Sequence, residues 1–253
     1  MSRRPDPLPW LYRWRTNLLQ TPLFALVTIL CGSVSLLVSF FDKGGSLQHV
    51  IARLWARLSV AISGCRLVVQ GRENLAKTPV AVFACNHTSY MDTPVVFASI
   101  PVQFRILAKQ ELWPIPFIGW YLNRSGQLPI DTRNPRNTLS SLGAAAKALR
   151  NGMPLFVFPE GGRTPDGELQ PFLSGAAYLA IRAQVPLVPI ALSGVYDLLP
   201  MGTHHFYPGE LTLRAGEPIE TAGMSIRQVE ELNTRLRQAI AELKSGEGSP
   251  AGR

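Results

Sequence analysis

Three short segments of the chain are apolar at nearly every position and then end in polar or glycine-bearing residues. They cover residues 80–85, 154–158 and 186–192. A strand that is covered on both faces of a sheet has this composition, because neither of its faces meets water. Segments of helical periodicity separate the three, so the pattern predicts an α/β fold with a mostly parallel central sheet flanked by helices.

The remaining elements follow from periodicity, capping residues and glycine or proline stops. Further strands are predicted at 66–70, 102–108, 128–131 and 210–215, and helices at 93–99, 139–150, 174–184 and from 225 onward. Ser225 and Gln228 form a capping box at the start of the last helix. Residues 112–122 are broken by prolines and a glycine and are predicted as an interrupted helix or loop.

The N-terminal region has a different pattern. Residues 16–41 carry no charge, and they follow the arginines at positions 3, 4, 13 and 15. Such a stretch is long enough to cross a bilayer, which needs about 20 apolar residues, and too long for a signal-peptide core. Trp10, Tyr12 and Trp14 are typical of the membrane interface.

A second helix is predicted at 47–62, where Val50, Leu54 and Leu58 recur at helical spacing. It is expected to lie on the membrane or to pack on the domain, with His49 on its surface or membrane face. Because basic residues flank the first helix on both sides, the charge distribution does not force a crossing. A hairpin that enters one leaflet, with a kink at Gly32-Ser33, fits as well as a span.

This pattern divides the chain into three regions. Residues 1–64 form a membrane-associated two-helix segment, residues 65–244 a globular domain, and residues 245–253 a tail rich in glycine and serine that is predicted to be disordered. The 253 residues suffice for one sizeable α/β domain with an extra segment.

The net charge of +8 and the pI near 9.8 restrict the partners of the chain. Nucleic acid, anionic lipid and phosphorylated substrates are the usual partners of a basic protein. The sequence contains no zinc-finger spacing and no block of lysine and arginine, so nucleic acid is not expected. An anionic membrane surface or a phosphorylated substrate fits better.

Cysteine and histidine are sparse. The chain has three cysteines with no CxxC pair, which is typical of a reducing compartment without a disulfide framework. Cys85 lies two positions before His87 and is interpreted as a core residue rather than a nucleophile. His204 and His205 are adjacent with no further ligand cluster nearby, so no metal site is expected.

The first motif follows the strand at 80–85 and reads Asn-His-Thr-Ser-Tyr-Met-Asp over residues 86–92. A neutral histidine, His87, accepts a proton near pH 7, and a carboxylate on its other ring nitrogen fixes the tautomer. Asp92 occupies the position for that carboxylate and is also predicted as the N-cap of the next helix. Ligands bind at the carboxyl ends of strands in such sheets, so the pair is a candidate catalytic site.

The second motif follows the strand at 154–158 and contains Glu160, Gly161, Gly162 and Arg163. Two glycines let the backbone approach an anion and expose N–H groups to it, and an arginine forks onto phosphate. Both motifs are expected at the same edge of the sheet. Lys109 and Arg133 are further candidates for binding the same phosphate.

These residues resemble the conserved blocks of the glycerolipid acyltransferases. Residues 86–92 are similar to the NHxSxxD block, and residues 158–164 to the FPEGTRS block, with Gly162 where threonine is usual. Residues 185–190 look like the proline-bearing fourth block. Residues 109–131 are similar to the second block, although Thr132 stands where its arginine is usual and Arg133 follows one position later. The N-terminal hairpin resembles the membrane-docking element of bacterial 1-acyl-glycerol-3-phosphate acyltransferases.

The resemblance implies a reaction and its participants. His87 would take the proton from the hydroxyl of a lysophospholipid, oriented by Asp92, and the oxygen would attack an acyl thioester directly. Glu160, Gly161, Gly162 and Arg163, with Lys109 and Arg133, would bind the glycerol phosphate. The co-substrate would be acyl-CoA or acyl-carrier protein, without a cofactor. The expected product is phosphatidate, and the expected location is the inner membrane with the catalytic domain facing the cytoplasm.

Three alternatives remain open at this point. In the first, the acceptor would be a different lysolipid, such as a lyso-ornithine lipid. Thr132 and Gly162, where the sequence departs from the family blocks, motivate this alternative. In the second, the protein would be a non-catalytic membrane-bound module that binds lipid. A serine or cysteine hydrolase is the third alternative, although the GxSxG motif is absent.

Overall fold

The computed structural model of the chain describes residues 10–200, 202–203 and 205–246. Within these residues the strands are β1 (Arg66–Gln70), β2 (Val82–Cys85), β3 (Arg105–Lys109), β4 (Leu128–Ile130), β5 (Leu155–Val157), β6 (Leu187–Ser193) and β7 (Glu210–Ala215). They form one sheet in the order β1-β7-β6-β2-β5-β3-β4. Only the β6–β7 pair among them is antiparallel, which confirms a mostly parallel sheet.

The sheet places both predicted motifs at one edge. The carboxyl ends of β2, β5, β3 and β4 lie side by side, because these neighbouring strands all run in the same direction. Strand β2 is fully buried on both faces. Phe83 and Cys85 belong to the core on one face, and Val82 and Ala84 belong to the core on the other. The absence of alternation in the sequence therefore reflects a central position in the sheet.

Ten α-helices are described: α1 (Trp10–Arg15), α2 (Thr21–Val38), α3 (Ser46–Ser63), α4 (Arg72–Lys77), α5 (Asp92–Ser99), α6 (Ile118–Arg124), α7 (Pro135–Arg150), α8 (Gly175–Ala183), α9 (Val195–Leu198) and α10 (Val229–Ser245). Helices α3 and α5 cover one face of the sheet, and α7, α8 and α10 cover the other. Helix α7 begins earlier than predicted, because the Asn134 side chain accepts a hydrogen bond from the N–H of Arg136. The capping box of Ser225 and Gln228 is present and opens a short 3-10 turn before α10.

The N-terminal helices form an antiparallel hairpin on the α5 side of the sheet. Residues Tyr12–Val38 make up 27 continuous helical residues, whose most apolar stretch of 18 residues has a mean hydropathy of 2.1 and is 6% buried. The Gln20 side chain donates to the carbonyls of Ile62 and Ser63 at 2.8 and 3.0 Å. Trp55 donates to the Thr28 hydroxyl at 3.0 Å. Polar groups thus join the two helices, and the apolar side chains of α2 face outward.

Helix α2 runs unbroken through Gly32 and Ser33, and the kink that the sequence allowed there stays a prediction. The irregular turn lies earlier, at Thr16–Gln20, which is π-helical. The Gln20 side chain in this turn is bonded to the carbonyls of Ile62 and Ser63 at the end of α3.

Helix α3 carries two different stripes. The bulky apolar residues Val50 and Leu54 are 62% and 53% exposed, whereas small residues such as Ala52 and Ala56 are buried against the domain. The helix was expected either to lie on the membrane or to pack on the domain. One side of α3 packs on the domain, and its opposite side exposes bulky apolar residues.

The expected position of His49 is wrong. Its side chain is buried rather than on the helix surface, with ring centroids 5.0 Å from Phe104 and 5.5 Å from Phe97. Burial, aided by the charge of Arg53, lowers the pKa of His49 to about 4.

Helix α10 continues through Ser245, one residue into the predicted tail. Residues 247–253, like the arginines at 3 and 4, lie outside the described residues. Residues of α3 contribute to the same core cluster as β1 and α5. The boundary at residue 64 is thus a proposal about function and does not coincide with a break in packing.

Candidate active site

His87 lies in the loop that follows β2, and two contacts fix its ring. Its Nδ1 atom is 2.8 Å from Oδ2 of Asp92. The imidazole stacks on Phe158 with ring centroids 3.9 Å apart and planes 15° from parallel. Its side chain is 15% exposed, and Nε2 makes no hydrogen bond to any described residue. The ring therefore presents Nε2 to a substrate while Nδ1 is held by a carboxylate.

Asp92 is fully buried and anchors the loop as well as the ring. The backbone N–H groups of Thr88 and Ser89 donate to its Oδ2 atom. The predicted N-cap role is wrong, because α5 begins at Asp92 itself and Met91 precedes it. The carboxylate turns back toward the loop instead of capping the helix, and this orientation brings it to the histidine.

Asn86 fixes the start of the same loop. Its side-chain amide donates to the carbonyl of Leu192 at 3.0 Å and accepts from the Leu192 N–H at 2.8 Å. This pair of bonds continues the β2–β6 ladder by one residue through a side chain. His87 therefore leaves the sheet at a defined point.

The two motif loops meet directly. The N–H of His87 donates to Oε1 of Glu160 at 2.8 Å, and the N–H of Gln170 donates to Oε2 at 3.1 Å. The N–H of Thr164 donates in turn to the carbonyl of His87 at 2.9 Å. The backbone of His87 is thus bonded on both sides by the second loop, as the predicted convergence at one sheet edge requires.

Glu160 occupies a different environment from the one expected of a substrate ligand. Burial raises the pKa of its carboxyl group, while the N–H groups of His87 and Gln170 act in the opposite direction. Both carboxylate oxygens are used to join loops. A direct contact of Glu160 with substrate stays a prediction.

The two glycines of the second loop have different constraints. Gly161 has φ of 70°, and a Cβ atom there would lie 2.8 Å from Cδ1 of Leu173. Gly162 is not in the left-handed region, and a Cβ atom on it would lie 3.6 Å from Nζ of Lys109. The ammonium group of Lys109, at the end of β3, therefore lies beside the glycine loop.

Arg163 is held by an aromatic ring that the sequence reasoning did not assign to the site. Its guanidinium carbon lies 3.8 Å from the centroid of Tyr90, a cation–π contact. Tyr90 is 56% exposed, which is high for a tyrosine. The two motif loops thus meet a second time, through these side chains.

Arg133 lies further from the histidine than the other candidates. Its Nε is 2.8 Å from Oε1 of Glu111, and its N–H donates to Asp131. It follows β4, three strands from β2, which is roughly 14 Å at about 4.8 Å per strand. The structure joins His87 to Asp92 and Glu160 by hydrogen bonds, places Lys109 beside Gly162, and leaves Arg133 at the rim.

On the other side of the histidine loop lies a cleft of about 500 Å³. It is lined by Thr88, the β6–α9 turn and the charged residues Asp166, Glu168, Asp197 and Lys244. The Lys244 ammonium donates to the carbonyl of Gly167 at 2.6 Å. Three carboxylates make this side unfavourable for a phosphate, in contrast with the side of Lys109 and Arg163.

The arrangement can act as a general base, and among the described residues of this loop neither Cys85 nor Ser89 is placed as a covalent nucleophile. Cys85 is fully buried in β2, as predicted, and burial raises the pKa of its thiol well above the usual value. The Ser89 hydroxyl donates to the carbonyl of Leu199 at 2.9 Å. Among the described residues no group of three His, Cys, Asp or Glu side chains could hold a metal ion, and His204 is outside them.

Comparison with known proteins tests the resemblance. A family model described as Acyltransferase matches residues 66–193, which is 128 of 253 residues and therefore about half of the chain. The chain belongs to the acyltransferase family.

Individual relatives of this acyltransferase agree with the assignment. It is 35% identical over 169 residues to 1-acyl-sn-glycerol-3-phosphate acyltransferase BAT2, chloroplastic, of Brassica napus, covering 66% of this chain and 48% of that one. It is 30% identical over 221 residues to the 1-acyl-sn-glycerol-3-phosphate acyltransferase of Saccharomyces cerevisiae, covering 86% and 73% respectively. The chain spans about half the length of the chloroplastic relatives from Brassica napus and Arabidopsis thaliana.

A solved structure shares the fold over nearly the whole acyltransferase. The crystal structure of the 1-acyl-sn-glycerophosphate (LPA) acyltransferase PlsC from Thermotoga maritima matches with a TM-score of 0.77 and 27% identity. The match covers 96% of this chain and all of that one, so it includes the N-terminal helices as well as the sheet. The N-terminal apolar helix and these relatives indicate membrane association.

Proposed function

We propose that this acyltransferase moves an acyl group from an acyl thioester to the free hydroxyl of 1-acyl-sn-glycerol-3-phosphate, giving phosphatidate. The observation that carries the proposal is the His87–Asp92 pair beside the cations of the glycine loop. The names of the relatives in plants and yeast, and of PlsC, support the acceptor.

The proposed chemistry uses Nε2 of His87 as general base. It removes the proton from the acceptor hydroxyl as the oxygen attacks the thioester carbonyl. The new ester C–O bond forms, the C–S bond breaks, and His87 returns its proton to the departing thiolate. Asp92 holds Nδ1 and stabilises the imidazolium that exists between these two proton transfers.

The phosphate of the acceptor is proposed to lie over the glycine loop. Arg163 supplies a guanidinium fixed on Tyr90, and Lys109 supplies an ammonium beside Gly162. Charge-assisted hydrogen bonds to phosphate are stronger than neutral ones, so two cations favour a phosphorylated acceptor. Glu160 contributes by joining the loops, which sets the distance between the base and these cations.

A second acceptor class is supported by one observation. The guanidinium of Arg133 is paired with Glu111 and lies at the rim, so one of the predicted phosphate ligands is already engaged. A lysolipid without a phosphate, such as a lyso-ornithine lipid, therefore remains the second candidate. A panel of lysolipids with one acyl donor, using purified protein in detergent, separates the two by their kcat/KM values.

Replacement of His87 by alanine tests the mechanism. A general base contributes about 10²–10⁴-fold to a rate, so His87→Ala is expected to lower kcat by that factor. Circular dichroism and the melting temperature serve as the folding control. Turnover close to wild type in a folded His87→Ala protein would contradict the mechanism, and lipid binding without thioester consumption in the wild type would favour the non-catalytic module.

The hairpin is proposed to dock on the cytoplasmic leaflet. Helix α2 lies along α3, and α3 packs on α5 of the domain, so the apolar helix is attached to the domain along its length. A helix attached in this way enters one leaflet more easily than it crosses the bilayer. Acyl thioesters of this kind are cytoplasmic, which supports the same side for the domain.

A further inference from the structure

The segment that follows β3 and ends in the first turn of α6 exposes apolar side chains to an unusual degree. Ile115, Phe117, Ile118 and Trp120 are 41%, 64%, 47% and 55% exposed. The rings of Phe117 and Trp120 lie 5.1 Å apart and form one outward aromatic pair. We name residues 113–120 the aromatic loop. Large apolar side chains clustered in this way mark an interaction surface.

The aromatic loop has a defined conformation, which is fixed by constraints that do not involve its exposed rings. The N–H groups of Ile118 and Gly119 donate to the carbonyls of Pro116 and Ile115, both at 2.7 Å. A Cβ atom on Gly119 would lie 1.8 Å from the carbonyl oxygen of Trp113, so only glycine fits there.

Phe117 has φ of 62°, which is a strained conformation for a bulky side chain. Backbone strain of this kind persists where the surrounding structure enforces it, and it is concentrated at functional sites. Here it holds the phenylalanine ring outward.

The residues around the aromatic loop indicate that it contacts a lipid membrane. Helix α6 packs against α2, and the guanidinium of Arg124 lies 4.6 Å from the ring centroid of Phe40. Phe40 and Phe41, at the end of the apolar helix, are 65% and 90% exposed. The aromatic loop therefore continues the outward apolar surface of α2. Two exposed cations lie close to this surface in the chain, Arg124 at the end of α6 and Lys43 two residues after Phe41, as expected at an anionic headgroup layer.

We propose that the aromatic loop is a second membrane-insertion element, which enters the same lipid leaflet as α2. The loop begins four residues after Lys109, whose ammonium lies beside Gly162 of the site. Insertion at two separated points fixes the rotation of the domain about the hairpin. It brings the carboxyl edge of the sheet toward the headgroups, where a lysolipid acceptor lies.

The test places an environment probe on the loop of the full chain reconstituted in vesicles of phosphatidylcholine and phosphatidylglycerol. Phe117→Cys carries a thiol-reactive fluorophore in a background with Cys31→Ala and Cys65→Ala, and nitroxide-labelled lipids serve as quencher. Leu26→Cys, exposed on α2, is the positive control. Ile226→Cys, exposed beside α10 on the opposite face of the sheet, is the matched negative control.

Quenching at 117 is expected to be of the same order as at 26, with little or none at 226. Quenching at 117 no greater than at 226 would overturn the proposal. Quenching at 117 that disappears when unlabelled acyl thioester is added would also overturn it, since the loop would then border an acyl pocket. If Phe117→Cys does not fold, Trp120→Cys replaces it. No activity is measured, so the result is independent of the proposed reaction.

Discussion

At the scale of single residues, each side chain of the site is held in its orientation by a further contact with a neighbouring residue. Asp92 holds Nδ1 of His87 and Phe158 holds its ring plane, which leaves Nε2 for the proposed substrate. Asp92 is available for that role because backbone N–H groups satisfy its carboxylate in a fully buried position. Arg163 is available for an anion because an aromatic ring, and not a carboxylate, is its described partner.

Tyr90 is expected to act as a positioning residue for Arg163. A cation–π contact at an exposed site is worth about 0.5–1 kcal/mol, which corresponds to about two- to five-fold in affinity. Tyr90→Leu should raise KM for the lysophosphatidate acceptor by this factor, with kcat and the KM for the acyl thioester unchanged. Tyr90→Phe retains the ring and is the matched control. An equal loss in both variants, or a loss of kcat alone, would contradict this role.

The two neighbouring glycines give a paired stability test. Gly161→Ala places a Cβ atom in left-handed backbone close to Leu173 and should lower the free energy of unfolding by roughly 1–2 kcal/mol. Gly162→Ala meets only Lys109 at an ordinary contact distance and should change it by no more than about 0.5 kcal/mol. Denaturant unfolding in detergent measures both. Equal destabilisation would show that the conformation of Gly161 is not the constraint.

The contact between His87 and Asp92 was predictable because both residues belong to one short segment. His87 and Asp92 are five positions apart, and a single loop brings them together. Tyr90 and Phe158 could not be assigned in the same way, because their contacts with Arg163 and His87 join loops that are distant in the sequence. No spacing rule encodes which ring of one loop meets which side chain of another.

At the scale of elements, the strands were predictable because burial on both faces leaves a direct mark in composition. Strands β2, β5 and β6 lie next to one another in the sheet and are almost entirely buried. The antiparallel direction of β7 leaves no such mark, because direction depends on the path of the chain after β6.

Helix α3 shows where hydrophobicity alone misleads. Its most apolar stripe faces outward, and its small and polar residues face protein, as in helices that pack within lipid. A periodicity analysis selects the bulky stripe and therefore places His49 on the wrong side. Small residues permit the close approach to α5 that buries the imidazole.

The burial of His49 predicts a pH dependence of folding. Its pKa is about 4 in the folded protein and about 6.5 in an unfolded chain, so only the unfolded state gains a proton between these values. Stability should therefore fall as the pH is lowered from about 6.5 to about 4, by at most roughly 3 kcal/mol. His49→Leu should flatten this part of the curve. Melting temperatures of both proteins across that range measure the difference, and parallel curves would contradict it.

At the scale of the whole molecule, two apolar features lie on the same side of the sheet. Helix α2 with the outer stripe of α3 forms one, and the aromatic loop forms the other, whereas the helices of the opposite layer present Leu139 and Ile226 as scattered exposed apolar residues. Lys109, whose ammonium lies beside Gly162, precedes the aromatic loop by four residues. We propose that the fold thereby places a general base and two cations next to the membrane surface that holds the lysolipid acceptor.

Docking of the apolar helix on one leaflet and crossing of the bilayer differ in whether its two ends lie on the same side of the membrane. At about 1.5 Å per residue its 27 residues extend about 40 Å, which exceeds the hydrocarbon thickness of about 30 Å, so its length permits both. Attachment to α3 argues for docking, because a crossing would draw α3 and its arginines into the hydrocarbon or break the bonds of Gln20 and Trp55. The cost of an arginine at the bilayer centre is at least about 2.5 kcal/mol, so docking is favoured.

Cysteines near both ends of the helix test this in the Cys31→Ala, Cys65→Ala background. Asn17→Cys and Lys43→Cys are exposed positions, and Ile226→Cys reports the side of the domain. In spheroplasts of an expressing bacterial host, a membrane-impermeant maleimide should label none of the three, and after lysis it should label all of them. Labelling of either helix position in intact spheroplasts, with position 226 protected, would mean that the helix crosses. In that case the hydrogen bonds between α2 and α3 would have to open in the membrane, and Gln20→Leu should then leave the melting temperature unchanged.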